Sequence, residues 1–558
     1  MPTIDISLKD LSHLVGEEIT LDILDKEAIL WVKGEIDGFD GKDIVKIDCK
    51  DSNRPDLWST EGIARQIKPL FKDVRGIPAF NVEESDVYLH VDRSVDDVRP
   101  YITAAVVENI QITEDLLKQL IQLQEKVCMT FGRKRAVVAI GLYDFDKITP
   151  PLTYKAVKPT SAKFLPLDAE KEMTLKDILQ KHPKGIEYKH LLKNANNYPI
   201  VVDSKDIILS MPPIINSQAS GKVTEATTNL FVEVTGTDLE DAKVALRIIC
   251  AALADRGGSL KSVTVDYGEE KLVTPDYTPK KMKVTFENIE NITGMKFTLK
   301  EMKELYDQFS YNAKKSKVAI ELEYPAYRQD ILHYIDVIED LLISYGYNSI
   351  EPVVPEIATV GDLDPLEEYS ERVRNSLVGF GAQELLNFTL TNREILFTKM
   401  NVDEWDVVEI ANPVSNRWTC IRNWVLPTLM AFFEQNRSVE YPQQVFEVGD
   451  VCLVDDTEET RTKTVRRLAW ALADNNASFT RAKQILDYLL KGLGLEYQIV
   501  EVEHGSFIDG RCGRVIVNGV KVAYIGEIKP KVLHHFNVDF PVCAFELNIS
   551  ELFKLQNL

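Results

Sequence analysis

The chain is 558 residues long, 45% hydrophobic and carries a formal charge of −22; at the usual size of about 100–200 residues per domain it holds three to five domains. That balance excludes a chain that wraps nucleic acid unaided, because phosphate binding needs clustered Lys and Arg, although a partner subunit can supply the positive surface. No run of about 18 apolar residues spans a bilayer, the opening MPTIDISLKDLSHLVGEEIT is too polar and acidic for a signal or transit peptide, and the seven cysteines are scattered singly without a CxxC pair, which supports neither a disulfide framework nor a zinc site. A cytoplasmic protein is expected.

In chain order, residues 1–95 mix short strands (AILWVKGEI, DIVKIDC) with a helix after DSNRPDLWSTEGIARQIKPLF. Asp56 or Ser59 caps that helix, and Ile63, Ile67 and Leu70 continue its apolar positions. Residues 96–272 alternate strand-like runs (YITAAVVENI, RAVVAIGLYDF, YPIVVDS, DIILSMPPIIN, NLFVEVTG) with two helical patterns, as in a large α+β domain. Within it, FGRKRAV (131–137) reads as a basic, solvated turn, and His182 and His190, flanking PKGIEYK, as surface histidines.

The stretch LSMPPIINSQASGKVTEATTNLFVEVTGTD (209–238) has two adjacent prolines, which leave a stiff backbone able to line a pocket. Ser210 and Asn216 would be its polar groups beside Met211, Pro212 and Ile215. A rigid loop at a sheet edge, with Gly236 as an ordinary turn, accounts for the same residues. No Ser/His/Asp or Cys/His arrangement offers a protein nucleophile.

DYGEEKLVTPDYTPKK (266–281) reads as a linker, and residues 273–350 as a small unit with two helical patterns before YRQDILHYIDVIEDLLISYGY (327–347). In that last stretch Ile331, Ile335, Ile338, Leu342 and Tyr345 form an apolar stripe, Asp330 is the expected N-cap and Gly346 the stop. Asp336, Glu339 and Asp340 lie together on another face, either as oxygen ligands for magnesium or as the wet face of the helix. Its opening echoes NRPDLWSTEGIARQI, since both run Arg-x-Asp into an amphipathic helix. The Pro-punctuated EPVVPEIATVGDLDP introduces the final α+β block, 351–558, which includes a second basic patch, TRTKTVRRLA (460–469).

NRPDLWSTEGIAR, DIILSMPPIIN with NLFVEVTGTD, YRQDILHYIDVIEDLLISYGYNSI, ELLNFTLT (384–391), NPVSNRWTCIRNWVLPTLM (412–430) and QQVFEVGDV (443–451) occur in this order. Together they resemble the β subunit of phenylalanyl-tRNA synthetase in its archaeal form, over nearly the whole chain. The resemblance implies an α+β multidomain chain: an N-terminal α/β domain (1–95), an editing domain (96–272), a small winged domain carrying the acidic helix (273–350) and a class II synthetase-like antiparallel-sheet module without catalytic motifs (351–558). It implies an α2β2 tetramer that ligates phenylalanine to tRNA(Phe), with ATP and phenylalanine bound by the α subunit, this chain supplying scaffold and editing, and no membrane partner. It also implies that Asp330, Asp336, Glu339 and Asp340 bind Mg2+, some through water, and that Ser210, Met211, Pro212, Asn216, Thr235 and Gly236 form the editing pocket.

A site shaped for phenylalanine discriminates poorly against tyrosine, which merely adds a hydroxyl; a second site that hydrogen-bonds that hydroxyl and hydrolyses the wrong ester raises accuracy. Class II synthesis requires arginines clamping the triphosphate. VFEVGDVCLV (445–454) has the character of the second class motif, but no GxGxxR-like third motif follows, and ASGKVT lacks the P-loop spacing. Arg422 and Glu447 are therefore expected in fold or interface roles. A free-standing aminoacyl-tRNA deacylase and a non-catalytic tRNA-binding scaffold are the rival readings, and the oligonucleotide-binding insert and C-terminal anticodon-binding domain of the bacterial β subunit have no room here.

Overall fold

The computed structural model describes residues 2–556 and divides into two compact units that meet between Val354 and Pro355. The chain is a mixed α/β protein built on several sheets.

The first unit opens with a three-stranded antiparallel sheet, Thr3–Ser7, Ile44–Cys49 and Gly34–Phe39, with the middle segment in the centre. Period-two alternation turns Ile4, Ile6, Val45 and Ile47 inward. Ser7 caps the helix Leu8–Val15, which Gly16 ends in a left-handed conformation. Ser59 caps the helix Thr60–Phe71 by accepting from the Gly62 amide. Ile63 and Ile67 are buried and Leu70 half-buried, as their spacing predicts.

An eleven-stranded sheet follows. Leu230–Gly236 runs between Tyr101–Glu108 and Val138–Asp144, antiparallel to both, and every one of its residues is buried. The helix Leu239–Asp255, capped by Asp238, packs against these strands, which explains a segment apolar on both faces rather than alternating. Two strands of this sheet come from before residue 96: Val82–Glu83 and Tyr88–Val91 pair in parallel with Ser259–Asp266. Short strands paired across such sequence distances have no local signature.

The expected linker at 266–281 is largely part of the fold. Lys271–Thr274 pairs with Ser259–Asp266, the Thr274 hydroxyl donates to the Ala104 carbonyl at 2.6 Å, and the Tyr277 hydroxyl donates to the Arg247 carbonyl at 2.7 Å. The prolines mark only the short exit, after which Lys280–Thr285, Ala319–Tyr324 and Asn312–Lys315 form a small sheet, with Ala319–Tyr324 central. The helices Phe286–Thr293, Leu299–Gln308 and Tyr334–Tyr345 accompany it.

The second unit is a seven-stranded sheet in the order Gln383–Glu384, Gln443–Val454, Thr462–Ala473, Val542–Asn548, Val520–Ile528, Phe507–Val517, Gln498–Glu501, antiparallel except for its first pair. Each face carries its own core. One contains the helix Phe479–Gly492 and Phe446, Trp470 and Phe545; the other contains the helix Leu426–Gln435 and Val445, Ala469 and Ala544. Among the described residues no helix is long and apolar enough to cross a membrane, and all seven cysteines are free.

Candidate active site

A cleft of about 460 Å³ opens on the eleven-stranded sheet. The helix Glu114–Lys126, capped by Thr113, contributes Leu120, Ile121 and Gln124 to it; the strand Val138–Asp144 contributes Ile140 and Leu142, and the loop 212–216 contributes Pro212, Ile215 and Asn216. Glu233 projects into it from the middle of Leu230–Gly236.

Glu233 is 3% exposed. Its Oε1 accepts from the Tyr143 hydroxyl at 2.8 Å, while Oε2 has no hydrogen-bond partner. The Tyr143 hydroxyl also lies 3.2 Å from Asn216 Oδ1, and Ser210 is buried beside it. Burial pushes the Glu233 carboxyl from its ordinary 4.5 up to about 7, against the opposing pull of the Tyr143 hydrogen bond and the Arg99 charge. The two facts fit together. One phenol proton serves only one of two acceptors, so a neutral Glu233 that donates to Tyr143 frees that proton for Asn216. The packing is close: a Cβ on Gly141 would meet the Tyr143 hydroxyl at 2.4 Å and Glu233 Oε1 at 2.7 Å, and one on Gly221 would meet Asn216 Cβ at 2.5 Å.

This carboxyl makes stability pH-dependent. Its folded value lies above its unfolded one, so its contribution is fully present below pH 4.5 and lost as pH rises through about 7. Urea unfolding of the wild type should therefore lose about 3 kcal/mol across that window, and Glu233→Gln should flatten the curve. A wild-type curve already flat between pH 4.5 and 7 would mean that Glu233 is ionised when folded.

Of the pocket residues expected from sequence, Pro212 and Asn216 line the cleft, with Ser210 and Met211 buried in the adjoining strand Ile208–Met211. Thr235 and Gly236 are not brought to it. The Thr235 hydroxyl accepts from Arg99 Nε at 3.0 Å, and Gly236 sits against the Val137 and Asp238 carbonyls. Being on the same strand as Glu233 does not suffice, because a buried arginine takes the side chain.

Sequence reasoning passed over Glu233, Tyr143 and Arg135. A lone carboxylate inside LFVEVTG was the available signal, since a charge in a fully buried strand needs a purpose. Arg135 belongs to the patch read as a solvated turn. Instead it donates to the Pro213 and Ile214 carbonyls at 3.1 and 2.9 Å and lies 4.3 Å over the Tyr188 ring. Arg133, Lys134 and Arg135 all have positive φ, a run that non-glycine residues adopt only where their surroundings hold them. His182, expected at the surface, is buried: Nε2 lies 3.1 Å from the Leu167 carbonyl and Nδ1 accepts from the Lys184 amide at 3.2 Å. With both nitrogens engaged it is not free to act as a base. His190 is exposed.

The four acids expected to bind magnesium are each engaged by protein. Arg328 makes a bidentate pair with Asp330 at 2.7 and 2.5 Å and reaches Asp340 Oδ2 at 2.8 Å. The Tyr311 hydroxyl donates to the same Asp340 oxygen at 2.5 Å. Glu339 pairs with Lys33 at 2.7 Å, and Asp336 accepts from the Leu332 and His333 amides at 2.7 and 2.6 Å. Against the cost of burial, Arg328 and then Arg54 hold the Asp330 carboxyl well below the usual carboxylate range.

The helix is also framed differently from its sequence pattern. His333, not Asp330, is the N-cap, in a capping box with Asp336. Val337, Ile338, Leu341 and Ile343 face the core together with Asp340, whereas Ile335 is 45% exposed. A buried arginine makes this possible, because it lets a carboxylate enter where the apolar stripe alone would forbid one. Among the described residues no group of three or more His, Cys, Asp or Glu side chains is arranged to hold a metal ion; Asp330, Glu339 and Asp340 each pair with a cation and Asp336 with backbone amides, while Asp340 Oδ1 is left without a partner. Thermal unfolding of the wild type and of Asp336→Ala should respond equally to millimolar magnesium, the variant being about 1 kcal/mol weaker from loss of the cap. Magnesium stabilisation confined to the wild type would return the quartet to metal binding.

In the second unit, Arg422 pairs with Glu447 at 2.7 Å, both fully buried, and the Asn387 side-chain amide donates to the other Glu447 oxygen at 2.8 Å. Arg467 pairs with Glu546 at 2.9 Å. The other Glu546 oxygen accepts from the Val425 and Leu426 amides at the start of the helix Leu426–Gln435.

Residues 93–249 match the family model described as the B3/4 domain, 282–347 that of the tRNA synthetase B5 domain, and 350–549 that of the phenylalanyl tRNA synthetase beta chain CLM domain. Over 557 residues the chain is 48% identical to the phenylalanine–tRNA ligase beta subunit of Pyrococcus abyssi, covering 99% of this chain and 100% of that one. With the protein of the same name from Methanocaldococcus jannaschii the identity is 37% over 554 residues, covering 99% and 100%. The crystal structure of an N-terminal fragment of the phenylalanyl-tRNA synthetase beta subunit from Pyrococcus horikoshii aligns with a TM-score of 0.60 at 46% identity, covering 62% of this chain and all of that one.

Proposed function

The chain belongs to the family of phenylalanyl-tRNA synthetase β subunits, and from that premise we propose that it is the non-synthesising half of a heterotetrameric ligase and hydrolyses mischarged Tyr-tRNA(Phe) in the cleft over Glu233. The observation that carries the editing reading is the unpartnered Oε2 of a buried carboxyl beside Tyr143 and Asn216. A phenylalanyl ester entering among Leu120, Ile140 and Leu142 would leave that oxygen unmet, whereas the hydroxyl of a tyrosyl ester satisfies it. Polar recognition at the end of an apolar cleft thus works against the noncognate ester, the inverse of a synthetic site.

In the hydrolysis, water attacks the ester carbonyl, the bond from carbonyl carbon to ribose oxygen breaks, and a proton from the water passes to that oxygen, giving tyrosine and free tRNA. The protein's part is to position the ester and exclude the wrong one, with no side chain serving as nucleophile. ATP, phenylalanine and adenylation belong to the α subunit in this reading. It is supported by the internal pairing of Arg422 with Glu447 and of Arg467 with Glu546, which are not free to clamp a triphosphate. Magnesium enters with ATP and is not assigned to the acidic helix. The complex works in the cytoplasm, and with a net charge of −22 this chain leaves much of the positive surface for tRNA to its partner.

Phenylalanine-dependent ATP–pyrophosphate exchange, run on the chain alone and after coexpression with an α subunit, tests the division of labour; Tyr-tRNA(Phe) deacylation is followed on the same samples. Exchange only in the coexpressed sample is the expected result. Exchange by the lone chain would place an ATP site in the second unit. Deacylation without exchange in either sample would make the chain a free-standing deacylase.

A further inference from the structure

A second concavity, of about 690 Å³, is lined by Lys176, Gln180, Lys189, His190, Lys193 and Tyr198 among others. We propose that it binds the phosphates of the tRNA acceptor arm and steers the single-stranded 3′ end into the cleft over Glu233. This inference rests on the editing reading and gives it a docking surface.

Three observations converge. The first is charge: residues 153–193 contain nine lysines against five carboxylates, a local balance of +4 in a chain of −22. Lysines 163, 181 and 184 are neutralised by Glu172, Asp177 and Glu187. Among the described residues Lys176, Lys189 and Lys193 form no ion pair, although all three are exposed at the same concavity. A cluster of unpaired lysines in an acidic protein costs mutual repulsion that a polyanion relieves.

The second is composition. Tyr198 is half-buried in the lining, with Leu179 and Leu192 beside it. An aromatic surface set among cations is what an unpaired base and its backbone require, base stacking being tolerant of sequence.

The third is continuity with the cleft. His182, Lys184 and Tyr188 line the cleft, and Lys189 and His190 follow them directly on the groove side. The intervening helix Pro183–Tyr188 has six residues and spans about 9 Å, which two or three stacked nucleotides cover at about 3.4 Å each. A strand whose phosphates rest on Lys176, Lys189 and Lys193 can therefore present its terminal ester in the cleft.

The test uses the complex coexpressed with the α subunit and the triple variant Lys176→Ala/Lys189→Ala/Lys193→Ala. The expected result is a rise of about tenfold in the KM for Tyr-tRNA(Phe) deacylation and a salt dependence of log KM shallower by about 2, since each lost phosphate contact removes about 0.7–0.9 from the slope. Hydrolysis of tyrosine methyl ester, which has no RNA, and phenylalanylation should both be unchanged. An unchanged KM and salt slope would overturn the proposal. So would a variant that loses its tetramer on size exclusion while keeping the wild-type KM, which would make the groove a subunit contact. If the wild-type complex hydrolyses no Tyr-tRNA(Phe), the editing reading falls separately. The groove is then judged by hydroxyl-radical footprinting: acceptor-arm protection lost in the triple variant supports it, and protection identical in both overturns it.

Discussion

Replacing Arg328 by methionine should loosen the first unit by about 3–5 kcal/mol, the cost of removing one partner from a buried ion pair. Arg328 is 2% exposed and is the principal cation for two buried carboxylates, Asp330 and Asp340. Arg54 Nε stands 3.7 Å from Asp330 but is committed to Asp56 at 3.0 and 2.8 Å. Asp340 would keep the Tyr311 hydroxyl alone, with its Oδ1 already unpartnered. The readout is hydrogen exchange in the helices Thr60–Phe71 and Tyr334–Tyr345, which follow the two halves of the cluster. Amides there should exchange about 10²- to 10⁴-fold faster in the variant. Replacing Asp330 and Asp340 by Asn in the same chain should recover much of the loss, because the stranded charges, not the missing contact, carry most of it. Exchange within a factor of three of the wild type would show that the carboxylates relax to water and that the cluster is marginal.

The second large effect is expected at Asn216. Asn216→Ala removes a cleft amide and the acceptor it offers the Tyr143 hydroxyl, so Tyr-tRNA(Phe) deacylation by the complex should fall about 10- to 100-fold in kcat/KM. Phenylalanylation on the α subunit should not change, which separates a pocket effect from misfolding. Glu233→Gln supplies the contrast. It keeps the size of the side chain and a hydrogen-bonding group that can donate, so it should retain more activity near neutral pH than Glu233→Ala and should lose the titration near pH 7 that burial gives the carboxyl. Deacylation unchanged in Asn216→Ala would move the site away from the cleft floor.

The Arg328 cluster also shows where reading a sequence stops. The echo between NRPD and YRQD is visible in the string, and both arginines do pair with the aspartate two residues on. That the two pairs are buried against each other is a contact across 274 positions, from Arg54 to Arg328, that no local pattern carries. The same gap explains the acidic helix. Spacing places Asp336, Glu339 and Asp340 together on one face, but only the positions of Lys33, Tyr311 and Arg328 decide that one caps, one pairs at the surface and one is buried.

What the sequence determined by itself was local or cumulative: the cap at Ser59, the helical stripe of Thr60–Phe71, the acidic balance, and the ordered motifs that identify the family. Each depends on neighbours a few residues away or on totals, and propensity and periodicity act at that range. The tertiary structure alone decided which polar groups are buried and what meets them. Glu233 becomes a raised-pKa carboxyl because a helix and two strands exclude water around it. Arg135 leaves its basic turn because the Pro213 and Ile214 carbonyls need a donor, and Thr235 is withdrawn from the cleft because Arg99 holds it. The energy of a polar group depends on its dielectric surroundings and its partners, and both are assembled from distant parts of the chain.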